Sequence, residues 1–396
     1  MKKIILFLIV CFFLVPCLYA DDNNGISNRS FEIGLAHTNI SFSNDFLSIG
    51  DIFQETTVIN IDDLKNGFNL NMALGVTPFY FSFNKSDSWG FGLSLGLDFN
   101  GIVSLPGNMI TLGQAVNEKP DVSGAAFINA DLPIFFHISR LKLKVGPSVF
   151  YPLLFVQPDI SYTNMIVPGG TEFDFRYNLR VYTPFSLEDG NFLDITATPG
   201  VDINLGIEYP LSEALGITGK LRFLDFKIGA DLYNLPLLPA QLNNYMEMRG
   251  RIGSDEPINI FSDGFGNLFD ESAGEINYGD QNVGISRPLK MLAWADWRPF
   301  GQVLHFIPTV GFTINPFYND PLSMEYGLKT RLNIGNVFIA TAGVGYYDRL
   351  WKNSIDVALN FKFMELNLGI DMRSADFIKS WQGSGFGMNV GMKFGL

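Results

Sequence analysis

The stretch Phe173-Asp174-Phe175-Arg176-Tyr177-Asn178-Leu179-Arg180-Val181 is apolar at every odd position and polar at every even one. Period-two alternation of this length marks a strand with one face in an apolar medium and the other in a polar one. The pattern recurs along the chain. Val201, Ile203, Leu205, Ile207 and Tyr209 alternate with Asp202, Asn204, Gly206 and Glu208. Trp89, Phe91, Leu93, Leu95, Leu97 and Phe99 alternate with Gly90, Gly92, Ser94, Gly96 and Asp98. Met324, Tyr326, Leu328, Thr330 and Leu332 form another such face, as do Ile355 to Phe361 and, after a tight turn, Leu366 to Met372. A one-residue slip would carry Arg and Asp to the apolar side, so each register is strongly fixed.

So many two-sided strands need an apolar medium for their outer faces. Hydrophobic residues make up 47% of the chain, charged residues only 17%, and Phe alone occurs 37 times. Past residue 20, however, no run reaches the roughly 18 consecutive apolar residues of a membrane helix. Apolar content spread at period two fits a closed sheet with lipid outside and a polar lumen inside. The expected fold is all-β, a transmembrane antiparallel up-and-down β-barrel of about 14 strands, within about 12–16. Such barrels sit in the outer membrane of diderm bacteria, which makes outer-membrane lipid the first expected partner.

The beginning of the chain agrees with export. Lys2 and Lys3 precede an apolar stretch, Ile4 to Val15, and Leu18-Tyr19-Ala20 precedes Asp21-Asp22. This is the layout of a signal peptide over residues 1–20, leaving 21–396 as a single barrel domain. A lipoprotein cut before Cys17 would need a small residue where Pro16 stands, and an uncleaved anchor would need a longer apolar stretch. Cys11 and Cys17 are the only cysteines, so the mature chain has no disulfide, thiolate metal site or Cys nucleophile. Without Lys2 and Lys3 there are 25 basic against 40 acidic residues, a net charge of −15. Nucleic acid is therefore not an expected partner.

If the C-terminal end is periplasmic, Met364-Glu365, Gly335-Asn336 and Pro299-Phe300-Gly301 are periplasmic turns. Pro316–Leu322, Tyr347–Asn353 and Ser374–Ser384 are then external loops, and 235–287 is the longest external connection. Between Tyr151 and Pro199 the parity fails, and Leu153–Tyr162 reads equally as strand or loop. Residues 45–66 do not alternate. Phe46, Leu47, Ile49, Ile52 and Phe53 are spaced like a short helix, either in a structured loop or in an insert plugging the lumen.

No site chemistry of an enzyme emerges. His37, His137 and His305 are isolated, without metal-helix spacing, and His305 reads as a hydrogen-bonded lining residue. The 40 glycines fall largely within strands and form no phosphate cradle. Neither catalytic residue, cofactor nor metal is expected. The informative groups are the inward ones: Asp174, Arg176 and Arg180; Asp202 and Glu208; Lys290 and Arg298; Glu325, Lys329 and Arg331; Asp356, Asp371 and Arg373. Both signs interleave, so these candidate lumen-lining residues either brace the wall by pairing across strands or line a solute path.

Two resemblances extend this reading. The terminal stretch, with Phe386, Met388, Val390, Met392, Phe394 and Leu396 on one face, resembles the C-terminal recognition strand that the barrel-assembly machinery engages. Gly200-Val201-Asp202-Ile203-Asn204-Leu205-Gly206-Ile207-Glu208-Tyr209, followed by Leu221-Arg222-Phe223-Leu224-Asp225-Phe226, resembles fatty-acid-transporter-like (FadL-like) outer-membrane barrels. The Asn-Pro-Ala element of the true transporters' N-terminal hatch is missing, so no binding residue is carried over. The resemblance implies a channel or transporter for passive uptake of small solutes, hydrophobic ones among them. The alternative is a surface-exposed barrel that displays its external loops for adhesion or complex assembly.

Overall fold

The computed structural model describes residues 29–44, 68–85, 88–105, 120–167, 170–186, 196–214, 225–254 and 275–395. The expected signal peptide and the 45–66 insert lie outside these. The strands are β1 (Phe31–Asn44), β2 (Phe68–Lys85), β3 (Trp89–Leu105), β4 (Asp121–Asp131), β5 (Ile134–Ile138), β6 (Leu141–Val167), β7 (Gly170–Thr183), β8 (Gly200–Pro210) and β9 (Phe226–Leu238). Then come β10 (Ala240–Ser254), β11 (Glu275–Ile285), β12 (Leu289–Trp297), β13 (Leu304–Ile314), β14 (Leu322–Ile334), β15 (Phe338–Tyr347), β16 (Leu350–Asn360), β17 (Met364–Ser374) and β18 (Gly385–Gly395). Among the described residues two short helices, α1 (Leu211–Ala214) and α2 (Phe377–Gln382), sit in connections.

All strand pairs are antiparallel, and β1 pairs with both β2 and β18, which closes the sheet. The 18 segments make 14 staves. Four staves are each built from two segments: β4 with β5, β7 with β8, β9 with β10, and β11 with β12. In the first, Ser94 faces Asp131 and Phe91 faces Ile134, one register carried across the Leu132-Pro133 break. Proline lacks the N–H a central ladder needs, and prolines stand at each break: Pro133, Pro184 and Pro199, Pro236 and Pro239, Pro288.

The short connections Gly335-Asn336 and 361–363 share one rim with the barrel's two chain ends, Phe31 and Gly395; short turns mark the periplasmic side of such barrels. Gly335 and Asn336 both have positive φ, 62° and 58°, as the central pair of the tight turn closed by Val337 N–H donating to Ile334 O. Outward positions carry exposed Leu93, Leu205, Leu328, Ile355, Leu368 and Met388, the apolar band that faces lipid. Aromatic clusters flank it. Phe226, Trp297 and Phe306 group at the periplasmic rim. Tyr326, Tyr346, Trp351, Phe377 and Trp381 group at the outer rim. Amphipathic rings at both water interfaces are what a spanning barrel displays.

Several connections differ from the sequence reading. Leu153–Tyr162 is strand, the middle of the long β6. The expected external connection 235–287 is largely strand rather than loop: it holds the end of β9, all of β10 and all of β11. Its Gly, Asn and Pro content reads as loop, yet Gly250 and Gly279 sit in strands beside the rings of Tyr177 and Tyr245. Ser374–Ser384 contains α2, capped by Asp376, whose carboxylate accepts from the backbone N–H of Ile378 and Lys379 at 2.8 and 2.9 Å. Beyond the last β12–β13 rung, Leu289 facing Ile314, the segments β6, β7, β10 and β11 continue outward as a four-stranded extension. Among the described residues β11 is paired there only with β10.

Candidate functional site

The lumen wall is set by strand parity: even positions of β7 and β8 and odd positions of β4 and β14 point inward. Most of the anticipated polar residues form pairs across or along staves. Asp202 accepts from Arg287 Nε and Nη2, both at 2.8 Å. Glu208 accepts from Lys227 at 2.8 Å and lies 3.9 Å from Lys142. Lys290 reaches Glu325 at 2.8 Å, and Thr313 donates to the same carboxylate. Arg298 binds Asp296 at 2.7 Å, and His305 is held by Asp296 and the carbonyl of Gln302. Arg180 donates to Glu247 at 2.9 Å and lies over the Tyr245 ring. Asp356 accepts from Asn389 at 2.7 Å. Asp371 is bracketed by Arg373 and by Lys352 at 3.4 Å, and Arg373 also donates to Ser41 across the barrel closure. Arg331 is buried opposite His305, and Lys329 lies opposite Ile307 and Gly343. On β7, Arg176 is exposed opposite Ser161, and Asp174 lies opposite Thr163.

Sequence reasoning missed what fills the lumen. Where the four staves break, Ala125, Phe127, Phe150, Tyr182, Ala240, Leu242 and Ile285 form an apolar core inside the barrel. Phe150 and Tyr182 are each only 1% exposed. Phe127 meets Phe150 edge-on at 5.7 Å between ring centres, and Phe155 stacks on Tyr182 at 5.9 Å. One signal was readable: Tyr182 continues the inward parity of Asn178 and Arg180, so an aromatic was due in the lumen.

The 315–321 turn between β13 and β14 completes this core. It was expected as an external loop, but it folds inward. Phe317 packs 5.9 Å from Phe127 and 5.5 Å from Phe155, on staves across the lumen. Asn315 holds the turn, its backbone N–H donating to Pro321 O and its side chain accepting from Phe317 N–H. Asn319 anchors the far side through its backbone N–H to Asp121, 3.1 Å, and its amide to Pro120 O, 3.3 Å. Next in the turn, Tyr318 lies under the Arg349 guanidinium at 5.0 Å, and burial pushes its hydroxyl above the usual tyrosine range, so it stays protonated.

Directly toward the periplasm from the aromatic core sits Arg287, in the break between β11 and β12. Its guanidinium lies 5.4 Å from the Phe150 ring and binds Asp202, Ser148 at 2.7 Å and Asp131 at 3.4 Å. A buried charge is tolerated only when paired and hydrogen-bonded in this way. The lumen therefore has an apolar aromatic layer over a charged one, ringed by paired ions. Among the described residues no group of three His, Asp or Glu side chains could hold a metal.

No protein-family model matches the chain, and no curated protein matches it. Solved barrels do. The toluene transporter TodX of Pseudomonas putida is 11% identical over 96% of this chain and 95% of that one, with a TM-score of 0.49. The translocator domain of the autotransporter NalP from Neisseria meningitidis is 7% identical over 95% and 91%, with a TM-score of 0.39. A porin variant of Rh. blastica gives 9% identity over 92% and 100%, with a TM-score of 0.25.

Proposed function

We propose that this chain is an outer-membrane channel for passive uptake of small hydrophobic solutes. One observation carries the proposal: an aromatic layer, Phe127, Phe150, Phe155, Tyr182 and Phe317, lies inside a barrel whose wall is otherwise charged. A water-filled diffusion pore has no use for such a layer, because apolar surface facing water costs about 25 cal/mol per Å². An apolar solute gains from it and gives up no hydrogen bonds. The ion pairs toward the periplasm, such as Arg287 with Asp202 and Glu208 with Lys227, keep the wall rigid. The N-terminal signal and the assembly machinery's use of β18 belong to the same reading.

A diderm cell producing the protein should take up a labelled monoaromatic probe several-fold faster than the same cell without it, and faster than a polar probe of equal size. Equal rates for the two cells would defeat the reading. The four-stranded extension, whose β11 edge has no partner strand among the described residues, supports a second role, display at the surface, since such an edge can accept another strand. Binding of intact cells to a partner without solute flux would favour that role.

A further inference from the structure

A cavity of about 240 Å³ opens at the outer rim, between the ends of β2 and β3, the start of β4 and the inward 315–321 turn. Its floor is apolar, with Ile102 and Leu350 both buried. Its walls carry charge of both signs, and the charges are incompletely matched. Asp121 is only 6% exposed and accepts from Asn319 N–H through Oδ2, yet no described group hydrogen-bonds its Oδ1. Arg349 presents the converse. Its Nη2 lies 3.5 Å from Asp320 but makes no hydrogen bond. Arg349 is also held with φ of 67°, a conformation that a bulky residue rarely adopts. The Tyr318 ring and the Asp320 carboxylate fix its guanidinium against this cavity.

A buried carboxylate oxygen without a donor and a guanidinium nitrogen without an acceptor each forfeit a hydrogen bond that water would have supplied. A molecule that donates to one and accepts from the other recovers both. An anion alone would leave Asp121 unmatched and add a third negative charge beside Asp121 and Asp320. A simple cation would leave Arg349 Nη2 without a hydrogen-bond acceptor. The geometry points to a small zwitterion of the amino-acid class, with its ammonium on Asp121, its carboxylate on Arg349 and its apolar body over Ile102 and Leu350. This goes beyond the uptake reading, since binding at the mouth is an equilibrium property that stands whether or not the solute crosses.

Four probes that share a benzyl body test it by calorimetric titration into the purified full chain in detergent: phenylalanine, benzylamine, phenylacetate and toluene. Phenylalanine should bind at least tenfold tighter than any other. Asp121→Asn, which keeps an acceptor for Asn319, should weaken phenylalanine and benzylamine at least tenfold and leave phenylacetate unchanged. Arg349→Gln should weaken phenylalanine and phenylacetate and leave benzylamine unchanged. Ile102→Trp, which fills the cavity without touching a charge, should abolish binding. Heat-modifiable gel migration confirms that each variant is folded. Phenylalanine binding no tighter than toluene, or unaltered in the folded Ile102→Trp variant, overturns the proposal.

Discussion

The arc from β14 to β18 and the arc from β4 to β12 are made of the same kind of strand, yet only one of them is merely a wall. In β14–β18 no proline interrupts a strand, adjacent strands stay in continuous register, and inward charges pair with near neighbours, as Asp371 does with Lys352 and Arg373. In β4–β12 the ladder itself turns aromatics inward, Phe127, Phe150 and Tyr182 at the inward positions of β4, β6 and β7, and the breaks add Ala240 after Pro239 and Arg287 before Pro288. Alternation aims the aromatic side chains inward, and interruption completes the filling.

Closure is common to both arcs, so its loss should have the largest effect. Deleting Phe386–Leu396 removes β18 and leaves the edges of β1 and β17 unpaired in lipid, where each unsatisfied backbone group costs several kcal/mol. The deleted chain should accumulate as protease-sensitive periplasmic material. Surface exposure at normal levels would show that the barrel closes some other way.

Next comes the contrast between the two arcs' arginines. Arg287→Ala leaves the Asp202 carboxylate, 1% exposed, without a cation and should cost about 3–5 kcal/mol. Arg373→Ala leaves Asp371 with Lys352 at 3.4 Å and should cost about 1–2 kcal/mol. Urea unfolding of both variants in detergent measures the difference; equal losses would erase the distinction drawn between filling and wall.

The same contrast explains what was legible in the sequence. Alternation fixes which side of a strand faces lipid, and in β8, β14, β16 and β17 the side chains lie where parity puts them, with Leu205, Leu328, Ile355 and Leu368 outward. The ring of 14 staves follows from the same signal. Period two says nothing about which inward residues meet across a lumen, however. Phe317 and Phe127 are far apart in sequence, and Arg287 stands in a stretch whose Gly, Asn and Pro content resembled a loop. A proline at a break looks the same in sequence as a proline in a turn, and only the pairing on both sides tells them apart.

A charge on the lipid face sharpens the wall side of the comparison. Leu205→Arg, at an outward position of β8, should cost about 2–4 kcal/mol near the bilayer midplane. Asn204→Arg, one residue away and inward, gives up mainly the hydrogen bond Asn204 accepts from the backbone of Asn234, about 1 kcal/mol. Comparable losses by unfolding in lipid would mean that the two faces of β8 are misassigned.

A similarly small effect on stability should come from Phe317, and it bears most directly on function. Its ring touches the core from a turn rather than from the wall, so Phe317→Ala removes packing without breaking a ladder. The turn keeps its own bonds through Asn315 and its anchor from Asn319 to Asp121. Part of the lost contact is recovered by solvent on the outer side, because the ring is only partly buried. The cost should be about 1–2 kcal/mol, below the 3–5 kcal/mol of a fully buried Phe→Ala change. Yet Phe317 closes the aromatic layer from outside, and shortening it should raise single-channel conductance in a planar bilayer several-fold and speed uptake of bulkier aromatic probes. A partly buried residue on the lipid face of the wall, such as Leu366 in β17, should change stability without changing either rate. If Phe317→Ala leaves conductance and probe size dependence at their original values, the inward turn is packing alone and the solute passes elsewhere.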